Sequence, residues 1–144
     1  MIIRGFKFVE IRGWDVRRRG LIALHSPWRI DWGACYFYGY KEPWALPRGA
    51  IIAVAEIAEV NKLTNELSME ILHQHRNPLP QACGSFAIVL KDVRSLRKPV
   101  RCRGRQYFFP LGDKVVGHVR EYAGLGANLD VGKIQIDRKL KAKK

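Results

Sequence analysis

Residues 50–60, Ala-Ile-Ile-Ala-Val-Ala-Glu-Ile-Ala-Glu-Val, constrain the fold more than any other stretch of this chain. A strand points successive side chains to opposite faces, and here both faces are apolar apart from Glu56 and Glu59. Such a strand must be covered on both sides, which places it at the centre of a sheet or barrel. Glu56 would share a face with Ile52 and Val54, and an unpaired buried carboxylate is costly. A basic partner such as Lys7 or Arg12 is one expectation for it; a surface position at the strand end is the other.

Around this centre the pattern is mixed and strand-rich, an α+β chain. Residues 6–12 and 21–25 read as strands on either side of a basic turn, with further strands over 85–93 and 106–110. Thr64 and Asn65 offer N-cap oxygens to a helix carrying Leu67, Ile71 and Leu72, ended by Asn77-Pro78 and Pro80. Residues 27–48 hold Trp28, Trp32, Trp44 and four aromatics between Tyr36 and Tyr40, with Pro27, Pro43 and Pro47 among them. They read as a long loop with at most one short helix, a length that is uncommon unless the loop lines a site. Past Gly112, glycines punctuate a weakly patterned segment that ends in a run of lysines. The expected division is therefore a domain over 1–112 and a C-terminal extension with a basic tail over 113–144.

The densest chemistry lies in residues 5–14, Gly-Phe-Lys-Phe-Val-Glu-Ile-Arg-Gly-Trp. Lys7 falls on the face of Val9 and Ile11, while Glu10 and Arg12 fall on the face of Phe8, so neither face is clean. In an ideal strand Lys7 and Glu10 point apart; they meet only if Gly5 turns the chain and Lys7 sits on that turn. Glu10 and Arg12 share a face and can pair, or aim jointly at a ligand. A lysine, a carboxylate and a guanidinium in one cleft suit a phosphate or base edge, with Arg12 as a planar fork. They also suit acid–base work if burial shifts Glu10 or Lys7, and an ion-pair network closing a barrel end is the plainer alternative.

The net charge of +13 favours polyanionic partners. Six Lys and Arg residues from Arg94 to Arg105 are free of intervening acid, and Arg17 to Arg19 and the C-terminal tail form further clusters. Gly104, between Arg103 and Arg105, would let backbone N–H groups approach a phosphate, or simply belong to a solvated basic loop. Hydrophobic residues make up 47% of the chain, which excludes a disordered polyelectrolyte. The three cysteines are widely spaced with no C-x-x-C, which points to a reducing compartment and away from a disulfide framework or zinc ribbon. No metal site is expected: His73 and His75 are two apart on a helix, and His25 lacks an acid at triad spacing. No cofactor, signal peptide or membrane span is indicated, and the expected location is intracellular, in the cytoplasm or, for a eukaryotic chain, the nucleus.

The G-x-K-x-x-E-x-R pattern of Gly5, Lys7, Glu10 and Arg12 resembles the motif of the ASCH domain (activating signal cointegrator homology), a branch of the PUA-like superfamily. Four more segments resemble that family in order: residues 20–26, 49–56, 86–90, and 99–106 with its P-x-x-x-R-G-R-Q pattern. The resemblance covers residues 1–112. It implies a small mixed β-barrel of five to six strands with flanking short helices, and RNA binding at the cleft beside the charged motif. ASCH domains usually carry an extra strand and helix before this motif, so residues 1–4 would be the end of that helix, with the chain starting abruptly or its start lying upstream. Some relatives hydrolyse acylated cytidine or cleave RNA; in the amidohydrolase branch a threonine follows the lysine by three positions, where this chain has Glu10. A carboxylate does not replace a hydroxyl nucleophile, and the longer form with R-G-R-Q looks more like the coactivator branch.

The resulting expectation is an RNA-binding protein. Lys7, Glu10 and Arg12 line the pocket, Trp14, His25 and Ser26 shape its wall, Arg101, Arg103 and Arg105 of the Arg94–Arg105 segment track the phosphate backbone, and Gln106 reads a base edge or caps the next strand. The rivals are a hydrolase of RNA or modified nucleosides using Lys7 and Glu10, with Glu56 as a further candidate, and a protein-interaction module built on the aromatics of 28–44.

Overall fold

Three of the four strands follow from their apolar patterning. In the computed structural model, which describes residues 2–5, 7–74, 85–105 and 107–125, they are β1 (Val9–Arg12), β2 (Gly20–Ser26), β3 (Ala50–Lys62) and β4 (Phe86–Arg101). They form one sheet in the order β1-β4-β3-β2, every neighbouring pair antiparallel. β3 is central, as its two apolar faces require, and Ala53, Val54 and Ala55 are fully buried.

One face of β3 packs Ala55 and Ile57 with Val16, Ile22, Ile88 and Leu90. The other packs Ile51 and Val54 with Leu96, Val100 and Val119. Val119 belongs to α3 (Asp113–Ala123), a helix that begins past the boundary expected at residue 112 and buries this residue completely. Its stripe of Val115, Val116, Val119, Tyr122 and Ala123 has helical spacing, obscured in the sequence by Gly117. Gly124, at φ 64°, ends it, with Leu125 N–H donating to the Arg120 carbonyl at 3.0 Å. Helix α2 (Asn65–Gln74) is capped as expected, Thr64 Oγ1 accepting from Leu67 N–H at 3.2 Å. Leu67 and Ile71 pack it against Val9, Leu63 and Ala87.

The expected five- to six-stranded mixed barrel is met only in its coarser features, α+β with short flanking helices. Among the described residues the sheet has four strands, is wholly antiparallel, and is open, with β1 and β2 as its edges. A strand over 106–110 does not form at 107–110, where Tyr107 has φ 64°, incompatible with an extended ladder. β4 instead runs well beyond residue 93, through the basic stretch, by means of bulges. Residues 92 and 93 stand opposite Ala55 alone, with Asp92 at φ 49°, and residues 96–99 stand opposite Ile52 alone. Residues 27–48 carry one short helix, α1 (Trp32–Phe37), capped by Asp31 Oδ1 on Ala34 N–H at 2.9 Å, and a single 3-10 turn at Pro43–Ala45. A second 3-10 turn, Ile2–Arg4, precedes β1. No helix among the described residues is long and apolar enough to cross a membrane. The expected basic tail and helix end at 77–80 lie outside the described residues.

Candidate functional site

Gly5 has φ 71° and its N–H donates to the Ile2 carbonyl at 3.0 Å, so the chain turns before β1 begins. Lys7 lies beyond that turn, ahead of the strand, and its Nζ donates to Glu10 Oε2 at 2.9 Å. The second carboxylate oxygen, Oε1, pairs with the Arg12 guanidinium. Register explains why the strand looked mixed. Glu10 lies opposite Ile88 and Arg12 opposite Phe86, on the face of the Ile22–Ile57–Leu90 cluster, whereas Val9 and Ile11 turn toward α2.

Glu10 is thus bracketed by two cations with side chains about a quarter exposed or less on the Lys7 side and 43% exposed at Arg12. The three charges reduce to a net +1, carried outward by Arg12, whose guanidinium lies 5.6 Å from the Trp14 ring centre. Trp14 packs edge-to-face on Tyr107, centroids 4.7 Å apart, and is half-buried against the first core cluster. Burial, and secondarily the negative charge of Glu10, pushes the Tyr38 phenol above its usual range. Tyr38 and Tyr107 therefore belong to this site. Neither was named from the sequence: their only signal was aromaticity inside loops whose path depends on tertiary packing.

His25, Ser26, Arg101, Arg103 and Arg105 gather elsewhere, where the ends of β2 and β4 meet the start of β3. Ser26 pairs with Ala50, and Ala50 with Arg101. His25 Nε2–H donates to the Cys102 carbonyl at 2.8 Å, and its ring meets Phe109 edge-on at 6.3 Å. Gly104 lies under that ring, since a Cβ there would come within 2.6 Å of His25 Cε1. The glycine thus makes room for the histidine, a use neither sequence expectation included. Cys102, beside it, has its thiol pushed up by burial against an opposing pull from Arg105. Arg103 and Arg105 are exposed. Gln106, expected in this group, lies outside the described residues.

Glu56 does not join either group. Its partner is Lys91, directly across on β4, at 3.2 Å, and not Lys7 or Arg12. Ile57 and Leu90, the next pair, face the Glu10 side, so Glu56 lies on the opposite face of the sheet. With its side chain 40% exposed it is a surface ion pair, the second of the two expectations. Among the described residues no three His, Cys, Asp or Glu side chains cluster as metal ligands. No protein-family model matches the chain, and no curated protein matches it. The ASCH resemblance accordingly stands on its five sequence segments.

Proposed function

We propose that this protein binds single-stranded RNA through an ASCH-type, PUA-like module whose bulged sheet rolls toward a small barrel. The observation that carries the reading is the Arg12–Trp14 pair, a guanidinium held in place by Glu10 beside an aromatic ring on a chain of net charge +13. A fixed cation next to a π-face suits a nucleobase and its phosphate together. Here Lys7 and Glu10 act mainly to position Arg12, with Trp14 and Tyr107 as the wall of the site. Contact between Trp14 and Tyr107 also brings the chain after β4 against the chain after β1, in keeping with a rolled sheet.

Fluorescence anisotropy with a labelled single-stranded RNA dodecamer tests this. Binding should weaken steeply with added salt, log affinity falling by about 0.7 per phosphate neutralised for each decade of salt. Arg12→Ala should lower affinity beyond the loss of one charge. Absent or salt-insensitive binding would sink the proposal.

The hydrolase reading needs Glu10 free to move a proton, and both its oxygens are engaged by cations. Product formed from RNA or acylated nucleosides, and lost in Glu10→Gln, would reinstate it. A protein-interaction role has one observation in its favour: Trp32, Tyr36, Phe37 and Trp44 are all at least half exposed. A pull-down that survives nuclease treatment would support that role instead.

A further inference from the structure

Trp28 is a large apolar ring left 60% exposed, yet it is not loosely held. It sits against the backbone of Gly49, where an added Cβ would come within 2.5 Å of ring atoms Cε2 and Nε1. Gly49 has φ 61°, a conformation that glycine adopts freely, and its carbonyl accepts from Cys102 N–H at 3.1 Å. The ring is therefore seated on a piece of backbone that the end of β4 fixes. Arg101, the last residue of β4, holds its guanidinium 5.5 Å from the Trp28 ring centre. Arg103 and Arg105 follow at once, both exposed, and among the described residues none of these three arginines forms a salt bridge.

We propose that Trp28, Gly49 and Arg101 form a second subsite, at which one unpaired nucleobase stacks on Trp28 while Arg103 and Arg105 take the adjoining phosphates. The inference deepens the RNA-binding reading and rests on it, but it uses none of the residues of the Lys7–Glu10–Arg12 site. Three features select a nucleotide. A rigid aromatic face accepts any base without sequence preference, and a guanidinium beside it adds planar stacking and charge. Exposed arginines next to it, without a salt bridge among the described residues, attract an anion, which the sugar–phosphate chain of the stacked nucleotide carries. Duplex RNA, whose bases are already stacked on one another, has no free face to offer, so the ligand is single-stranded.

The test compares labelled oligoadenylate of about twelve nucleotides, an abasic oligonucleotide of equal length, and AMP, on the full chain. Trp28→Ala should weaken oligoadenylate binding about tenfold, while Trp28→Phe should keep most of the affinity. Arg101→Lys, which retains the charge, should weaken binding a few-fold and leave the salt dependence unchanged. Against the abasic strand, Trp28→Ala should change nothing. AMP binding that rivals the oligonucleotide and vanishes in Trp28→Ala would assign the same stacked-base chemistry to a free nucleotide; oligonucleotide binding alone assigns it to a strand. Circular dichroism confirms that each variant is folded, and Arg101→Lys carries the test if Trp28→Ala is not. Equal losses on abasic and base-bearing strands, or unchanged binding by folded Trp28→Ala and Arg101→Lys, would overturn the subsite while leaving RNA binding intact. A wild-type protein that binds no RNA would instead overturn the RNA-binding reading itself.

Discussion

Replacing Glu10 by Gln keeps the shape of the side chain and removes the charge between Lys7 and Arg12. An exposed ion pair is worth about 0.2–1 kcal/mol, and breaking a fully buried one costs about 3–5 kcal/mol. Lys7 and Glu10 have side chains 19% and 24% exposed and share a 2.9 Å hydrogen bond, which places their link between those limits, at about 1.5 kcal/mol. The Arg12 link, at 43% exposure, belongs to the surface class and adds about 0.5 kcal/mol. The expected loss is about 2 kcal/mol, or roughly 4–8 °C in Tm for a domain of this size. Thermal unfolding followed by circular dichroism measures it. Because the loss is ionic it should shrink in ~1 M salt, where the Debye length is about 3 Å. The RNA affinity of the same variant should become more salt-sensitive, since two cations no longer share a carboxylate. A Tm within about 1 °C of wild type at low salt, with Lys7→Ala equally silent, would show that the bracketed carboxylate does not hold this end of the fold.

Three further outcomes follow from particular contacts. Gly104→Ala should displace the His25 ring, because the new Cβ would meet Cε1 at 2.6 Å; a loss of about 1–2 kcal/mol is expected, largely relieved when His25→Ala is added, as a double-mutant cycle would show. In an ultraviolet titration one tyrosine should ionise late, and Tyr38→Phe should remove that phase. The raised phenol means that Tyr38 stabilises the fold fully below its ordinary pKa of about 10 and loses that contribution as pH rises further; Glu10→Gln should reduce the delay without abolishing it, since burial is the larger cause. Val119→Ala should cost about 2 kcal/mol in chemical denaturation, α3 being joined to the sheet through this fully buried side chain, and a cost under about 0.5 kcal/mol would mean that the helix is not part of the cooperative unit.

What could be read from the sequence was what neighbouring residues decide among themselves. The double-faced apolar run of 50–60 specified a central strand, Thr64 specified the start of α2, and the need for Lys7 to reach Glu10 required the turn that Gly5 makes. Each depends on side-chain alternation, one cap or one φ angle, all local properties of the chain. The extent of β4 was missed because charged residues at 94, 97, 98 and 101 hid the two inward anchors, Leu96 and Val100, that the bulges keep in the core. The partner of Glu56, the approach of Tyr107 to Trp14, and the hydrogen bond from His25 to a carbonyl 77 positions away were decided only in three dimensions. Shifting a strand pairing by one residue reverses the face of every side chain, so such meetings depend on register. In this protein the bulges of β3 and β4 set that register.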